Sequence, residues 1–365
     1  MHNPVDAAVM RRALELAARG PAADPNPRVG CVVLDRAGAV VGEGWHRGAG
    51  TPHAEVEALA RAGAGAAGGT AFVTLEPCAH TGRTGPCTRA LLDAGVSRCL
   101  VAALDPHPRA AGGAAVLRAA GVEVVTGLLA DEAEGLNRYW LHAVRSGRPF
   151  VTWKYAATLD GRSAAADGSS RWITGEAARR DVHAGRARAG AVVVGTGTAL
   201  ADDPSLTVRD ADGALAARQP LRVVVGRRQV PPGAKVLDAG APTLALHSRD
   251  PREVLAALSA RGVRHVWLEG GPTLAAAFWH AGLVDEVVAY VAPALLGAGP
   301  AAVGDLGLRT LGDAGRLHLL DVTRLDGDVR LTLAPVRPSA PDPARPDPAR
   351  PPTDLPSIDE PGDHP

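Results

Sequence analysis

Three residues with the donor chemistry of a zinc site stand within the first quarter of the chain: His53, Cys78 and Cys87. One imidazole and two thiolates suit Zn²⁺, and three protein ligands leave the fourth tetrahedral position to a water molecule. Zinc held in this way brings that water to a pKa of about 7, so a nucleophile is available at neutral pH. Glu55 follows His53 by two residues, where a carboxylate can carry protons to and from the water and a leaving amine. A closed structural site, with His80 as a fourth ligand, is the competing reading. It has no use for a carboxylate in this register.

The order His53-Ala54-Glu55, Pro77-Cys78, Cys87 is the grammar of zinc deaminases, in which the glutamate is acid/base and not a ligand. Polynucleotide and cytidine deaminases place two residues between the cysteines, whereas here the whole segment Ala79–Pro86 intervenes. That inserted loop carries His80 and Arg83, side chains able to reach a substrate ring or phosphate. Cys31 and Cys99 lie inside apolar runs and read as core.

Such ligands need rigid elements to aim them. The first 146 residues alternate between helical and strand patterns, which implies an α/β sheet covered by helices. Helices are expected over residues 5–19, 53–62, 88–94, 114–120 and 131–145, and strands over 30–34, 40–42, 70–75, 99–104 and 122–125. His53 then opens a helix and Cys78 ends a strand, the two places where α/β folds collect ligands. Cys87 is expected to start the following helix, where the dipole favours a thiolate.

Ser146-Gly147-Arg148-Pro149 reads as a boundary. A second α/β series follows, with strands at 150–155, 191–194, 221–225, 243–246, 265–268 and 286–291, helices near 176–188, 252–261 and 272–281, and a hairpin around Asp326-Gly327. Gly195-Thr196-Gly197 is too short for a dinucleotide fingerprint. Glu269-Gly270-Gly271-Pro272-Thr273 is a stronger anion-binding signal, because glycines let a phosphate approach the backbone at a helix start. Lys154 and Asp160 flank the first strand, and Arg186 and Arg209 read as spare cations for a sugar phosphate. Residues 336–365 are rich in Pro, Asp, Ala and Arg, cannot bury a core, and are expected to be disordered.

Composition narrows the partners. Lys and Arg total 39 against 39 Asp and Glu, and aromatics are 3%; neither a basic nucleic-acid face nor a stacking platform is expected. Four cysteines are too few for a disulfide scaffold, no signal-peptide order opens the chain, and no apolar run approaches the roughly 20 residues of a membrane span. A cytoplasmic, soluble enzyme without membrane or nucleic-acid partners is the expectation.

Several longer motifs carry a closer resemblance. Pro25-Asn26-Pro27-Arg28-Val29-Gly30-Cys31, Gly42-Glu43-Gly44-Trp45-His46, His53-Ala54-Glu55-Val56 and Pro77–Cys87 resemble the deaminase half of the RibD family, the bifunctional deaminase/reductases of riboflavin biosynthesis. Thr84-Gly85-Pro86-Cys87 stands where that family commonly has Thr-Pro-Pro-Cys. Lys154–Arg162, Trp172-Ile173-Thr174-Gly175, Ala201–Arg209 and Glu269–Leu274 resemble its reductase half. The resemblance implies a cytidine-deaminase-like α/β/α domain over 1–146 and a dihydrofolate-reductase-like α/β domain over 150–335, with Zn²⁺ and NADPH as cofactors. It implies pyrimidine and ribose-phosphate contacts at Asn26, His46, His80 and Arg83. In the second domain it implies cofactor contacts at Ala156, Trp172, Thr198, Asp202, Gly271, Pro272, Thr273 and Leu274, and substrate contacts at Lys154, Ser170, Arg186, Leu206, Arg209 and Glu269. The expected substrates are phosphorylated pyrimidines: 2,5-diamino-6-(5-phosphoribosylamino)pyrimidin-4(3H)-one for deamination, then the resulting uracil derivative for reduction. A homo-oligomer is expected.

Overall fold

Strands that alternate apolar side chains to two faces, each face covered by helices, organise both halves of the chain. The computed structural model describes residues 3–80 and 85–336. Arg83 and the tail from residue 337 lie outside the described residues.

The first half runs α1 (Pro4–Ala18), β1 (Gly30–Leu34), β2 (Val40–Trp45), α2 (Ala54–Ala62), β3 (Thr70–Leu75), α3 (Cys87–Asp93), β4 (Arg98–Ala103), α4 (Gly113–Ala119), β5 (Glu123–Thr126), α5 (Ala130–Leu136) and α6 (Arg138–Ser146). Its sheet has the order β2-β1-β3-β4-β5. β1 is antiparallel to β2 and β3, while β3, β4 and β5 run parallel. Period-two alternation splits the core: Val32, Phe72 and Leu100 meet Met10 and Leu16 of α1 on one face. Cys31, Val33, Val73, Cys99 and Val101 meet Ala54, Ala58, Leu91 and Leu117 on the other. Cys31 and Cys99 are therefore core residues.

The second half runs β6 (Phe150–Thr158), α7 (Glu176–Ala187), β7 (Ala191–Gly195), α8 (Thr196–Asp202), β8 (Leu221–Val225), β9 (Thr243–Leu246), α9 (Pro251–Ser259), β10 (His265–Leu268), α10 (Pro272–His280), β11 (Glu286–Ala292), β12 (Leu317–Leu325) and β13 (Asp328–Pro335). These strands form an eight-stranded sheet of order β12-β13-β11-β6-β10-β7-β8-β9. It is parallel from β11 to β9, and β13 and β12 close it as an antiparallel hairpin. The near-continuous apolar runs of β7, β8 and β10 follow from burial on both faces.

One expectation is corrected and one element is added. The single helix expected over 131–145 is broken at Asn137, whose side chain accepts from Arg28 N (2.8 Å) and donates to Arg28 O (2.8 Å). An asparagine paired to a neighbouring backbone in this way gives up helical continuity. Residues 196–202 form α8, which no strong periodicity announced.

A polar seam anchored on two buried carboxylates joins the halves. Arg148 forks onto Asp285 (2.7 and 2.7 Å), and Arg138 pairs with Glu286 (2.8 Å). His265, on β10, stacks on Tyr139 of α6 at 3.8 Å, with Thr152 Oγ1 2.9 Å from Nε2 and Arg188 O 3.2 Å from Nδ1. Burial holds its imidazole neutral, with a pKa lowered to about 3. The unfolded chain takes up this proton near pH 6.5, so the stability is present above 6.5 and lost as pH falls toward 3. We expect the thermal midpoint to fall between pH 7 and pH 4 more steeply in the wild type than in His265→Gln. Equal slopes would show that His265 does not contribute to acid unfolding.

Candidate active sites

The first site is assembled by close backbone approach. A Cβ on Gly44 of β2 would lie 2.4 Å from Ala54 O, so glycine lets β2 press against the start of α2. His53 is the N-cap of α2, and Glu55 lies in its first turn with only 3% of its surface exposed. Across the sheet, Glu76 accepts from Asp105 N (3.2 Å) and Ala114 N (2.9 Å), which fixes the β3 end that leads into Cys78. Gly113 packs against Pro77 O so tightly that a Cβ there would lie 1.7 Å away.

The ligand atoms of His53, Cys78 and Cys87 all lie within 4.8 Å of one another. His53 Nδ1 is 3.0 Å from Cys87 Sγ and 3.7 Å from Cys78 Sγ. Ligands about 2.0–2.3 Å from a tetrahedral zinc ion stand roughly 3.5–3.8 Å apart, so the trio fits that ion. Among the described residues no fourth His, Cys, Asp or Glu atom joins it, and His80 is exposed. The amide that opens α3, Cys87 N, points at Cys78 Sγ (3.4 Å). Helix-start stabilisation thus falls on Cys78 rather than on Cys87. The Cys78 thiol is pulled down to about 4 by the Cys87 side chain and then by His53, whereas Cys78 and burial push Cys87 up. Burial raises the Glu55 pKa, against which a backbone hydrogen bond and His53 act.

Asn26 and His46 stand beside this trio. The His46 ring meets His53 edge-on at 5.5 Å, its Nδ1 is 3.0 Å from Pro52 O, and its Nε2 is 3.1 Å from Asn26 Nδ2. A carbonyl only accepts, so Nδ1 carries the proton and Nε2 accepts from the Asn26 amide. That tautomer leaves the Asn26 carbonyl oxygen to accept from a ligand.

The second site is a cleft of about 1230 Å³ over the carboxyl ends of β6, β10, β7 and β8. Every cofactor and substrate position expected in this half lines it, from Lys154, Ala156 and Ser170 to Glu269 and the Gly271–Leu274 turn. Thr198 of α8 accepts from Gly271 N (3.0 Å), locking that turn. Trp172 stands at the lip, 71% exposed, with the Arg179 guanidinium 4.5 Å from its ring. Leu206 borders the cleft at φ +53° with its side chain packed in the core.

Arg186 is not a spare cation. It forks onto Glu269, Nε to Oε1 at 2.5 Å and Nη2 to Oε2 at 2.8 Å, and its Nη1 donates to Thr207 O (3.0 Å). Burial alone would raise Glu269; Arg186 and then Lys154 outweigh it and hold the carboxyl at about 2. Burial lowers Lys154. Arg209 lines the cleft, donates from Nη1 to Gly213 O (2.6 Å) and makes no ion pair among the described residues. Arg227, Arg228 and Arg249, which the sequence alone did not single out, also line the cleft and make no ion pair among the described residues. Two of them follow the Val-rich run of β8, a strand-end position that was the available signal.

Comparisons with known proteins match this two-site arrangement. A family model described as the cytidine and deoxycytidylate deaminase zinc-binding region matches residues 4–103, and one for the RibD C-terminal domain matches residues 149–331. The riboflavin biosynthesis protein RibD of Mycobacterium tuberculosis is 53% identical over 310 residues, covering 85% of this chain and 91% of its own. That of Escherichia coli is 42% identical over 359 residues, covering 89% and 98%. Among solved structures, Acinetobacter baumannii RibD superposes with a TM-score of 0.84 at 42% identity, covering 91% of this chain and 99% of its own. A diaminohydroxyphosphoribosylaminopyrimidine deaminase/5-amino-6-(5-phosphoribosylamino)uracil reductase from Thermotoga maritima gives 0.82 at 32% identity, with the same coverage. No helix among the described residues is long and apolar enough to cross a membrane. With a three-ligand zinc cluster in one half, a basic strand-end cleft in the other and relatives matched across both, the chain belongs to the RibD family of bifunctional, zinc-dependent deaminases and NADPH-dependent reductases of riboflavin biosynthesis.

Proposed function

We propose that residues 1–146 deaminate 2,5-diamino-6-(5-phosphoribosylamino)pyrimidin-4(3H)-one at ring C2, and that residues 150–335 reduce the ribose C1′ of the uracil product to the ribitylamino compound. The observation that carries the first step is the His53–Cys78–Cys87 trio beside a buried Glu55. Bound zinc supplies a water acidic enough to lose its proton near neutral pH. Glu55 takes that proton and delivers it to the departing amine, while Asn26 and His46 hold the pyrimidine. His80 and Arg83 serve the ribose phosphate.

In the second site NADPH supplies the hydride. Ala156, Trp172, Thr198, Asp202 and the Gly271–Leu274 turn hold the cofactor. Arg227, Arg228 and Arg249 offer unneutralised charge to its adenosine phosphate. Lys154 and Glu269 orient the sugar, with Arg186 fixing Glu269; Ser170, Leu206 and Arg209 hold the rest of the substrate. This half catalyses chiefly by positioning.

All four cysteines are free and buried, which suits a cytoplasmic enzyme. The edge strand β12 exposes Leu319, Leu320 and Val322, an apolar edge that suits a second copy of the chain. Balanced charge suits small-molecule substrates rather than nucleic acid.

The test is a single reaction with the diaminopyrimidine substrate, following ammonia release and NADPH oxidation together. Both are expected in the wild type. Arg209→Ala is expected to raise the reductase KM about 10- to 100-fold, the scale of one charged hydrogen bond, and to leave ammonia release unchanged. Loss of both activities together would contradict two separate sites.

A further inference from the structure

Three consecutive residues, Asp24-Pro25-Asn26, connect the two halves at the deaminase site. Asn26 bonds His46 there, as described above. The other two residues are held from the reductase half. Arg264 Nε donates to Pro25 O (3.3 Å), and Gly262, at φ +77°, packs so that a Cβ on it would lie 3.3 Å from the Pro25 Cβ. Arg218 Nη2 lies 3.8 Å from Asp24 Oδ2.

Asp24 is the junction of the local network. Its Oδ1 accepts from Asn26 N (3.0 Å) and Ala49 N (3.2 Å), and its Oδ2 also faces Ala49 N (3.3 Å). The carboxylate thereby ties the Asn26 turn to the Gly48–Thr51 loop. That loop continues to Pro52, whose carbonyl sets the His46 tautomer, and to His53 itself. Only 10% of the Asp24 side chain is exposed, and Arg218 is the cation paired with it. Charge on Arg218 therefore bears on a carboxylate that organises two walls of the deaminase site.

The link runs on into the reductase. Gln219, next to Arg218, brackets Val208 by accepting from its N–H (2.7 Å) and donating to its carbonyl (2.8 Å). Val208 precedes Arg209 in the cleft wall. One two-residue segment thus touches the substrate-facing loops of both sites.

We infer that Arg218 and Arg264 are positioning residues for deamination: from the reductase half they hold Asp24 and Pro25 so that Asn26 and His46 meet the pyrimidine. The inference rests on the deaminase reading of the zinc site. Neither arginine touches the zinc ligands or Glu55, so the chemical step keeps its rate once substrate is bound. What changes is how well the ring is received.

The experiment is steady-state kinetics on the full-length, zinc-loaded enzyme carrying Arg218→Ala and Arg264→Ala together. The deaminase KM is expected to rise about five- to tenfold, the scale of one exposed ion pair plus one hydrogen bond. Deaminase kcat, zinc content and reductase KM are expected to stay within about twofold of the wild type. Arg218→Lys combined with intact Arg264 is expected to keep the wild-type KM. An unchanged deaminase KM, or a parallel loss of kcat in both reactions, would overturn the inference. Absence of ammonia release from the wild type would instead overturn the deaminase reading. If the double variant does not fold, hydrogen exchange in Arg264→Ala decides: faster exchange of the Asn26 and Ala49 amides supports the inference, and wild-type protection there overturns it.

Discussion

Glu55→Ala is expected to abolish ammonia release while leaving zinc bound. The carboxylate is nearly inaccessible, lies one helical half-turn from His53, and does not join the ligand cluster. Its removal takes away the proton carrier, a loss of about 10²- to 10⁴-fold in kcat, but no metal–ligand bond. Reduction of the deaminated substrate, supplied directly, is expected to proceed at the wild-type rate because that cleft shares no residue with Glu55. Metal analysis alongside the ammonia assay checks both halves of the statement. Cys87→Ser is the contrasting control, since it exchanges a thiolate ligand for a poor one and is expected to lose zinc as well as activity. Near-normal deamination by Glu55→Ala would remove the acid/base assignment.

Glu269→Ala is expected to have the largest effect on the reductase half, in stability as well as turnover. Glu269 and Arg186 form a two-pronged pair with side-chain exposures of 10% and 14%, and Lys154 lies close enough to lower the same carboxyl further. Deleting the carboxylate leaves two desolvated cations facing one another, a cost of about 3–5 kcal/mol. The folded carboxyl, at about 2, lies below its ordinary 4.5. Its contribution is therefore fully present above pH 4.5 and is lost as pH falls toward 2. Arg186 also holds Thr207 O, so the Leu206–Arg209 segment loosens with it. Chemical denaturation of Glu269→Ala, compared with Arg186→Met/Glu269→Met, separates stability from function. The paired replacement is expected to recover much of the stability, because Lys154 is then the one cation left without its carboxylate and burial already favours its neutral form, yet to remain inactive as a reductase. A single variant within about 1 kcal/mol of the wild type would show that the pair is solvated and not structural.

The two predictions differ in how far the sequence had exposed them. His53, Glu55, Cys78 and Cys87 were legible because metal chemistry constrains residue type and spacing together, and few other roles demand that set. The strands carrying them were legible as well, since burial on both faces writes continuous apolar runs such as Cys31–Leu34 and Ala191–Val194. The Arg186–Glu269 pair was not legible. The two residues are 83 positions apart, and nothing in either neighbourhood distinguishes a neutralised arginine from a free one. The same limit hid Asn137, whose helix break depends on the backbone of Arg28, and Arg218, whose partner lies in the other half.

By itself, then, the sequence determined two α/β units, a His/Cys/Cys trio with a glutamate two residues from its histidine, and the membership of a family, because each is written in residue type, local period or motif order. The tertiary structure decided which charges remain free. It showed that Arg186 is spent on Glu269 while Arg209, Arg227, Arg228 and Arg249 make no ion pair among the described residues, and that Arg218 and Arg264 of the second half reach Asp24 and Pro25 beside the first site. Electrostatic pairing and loop support are fixed by distances through space, and sequence separation carries no record of them.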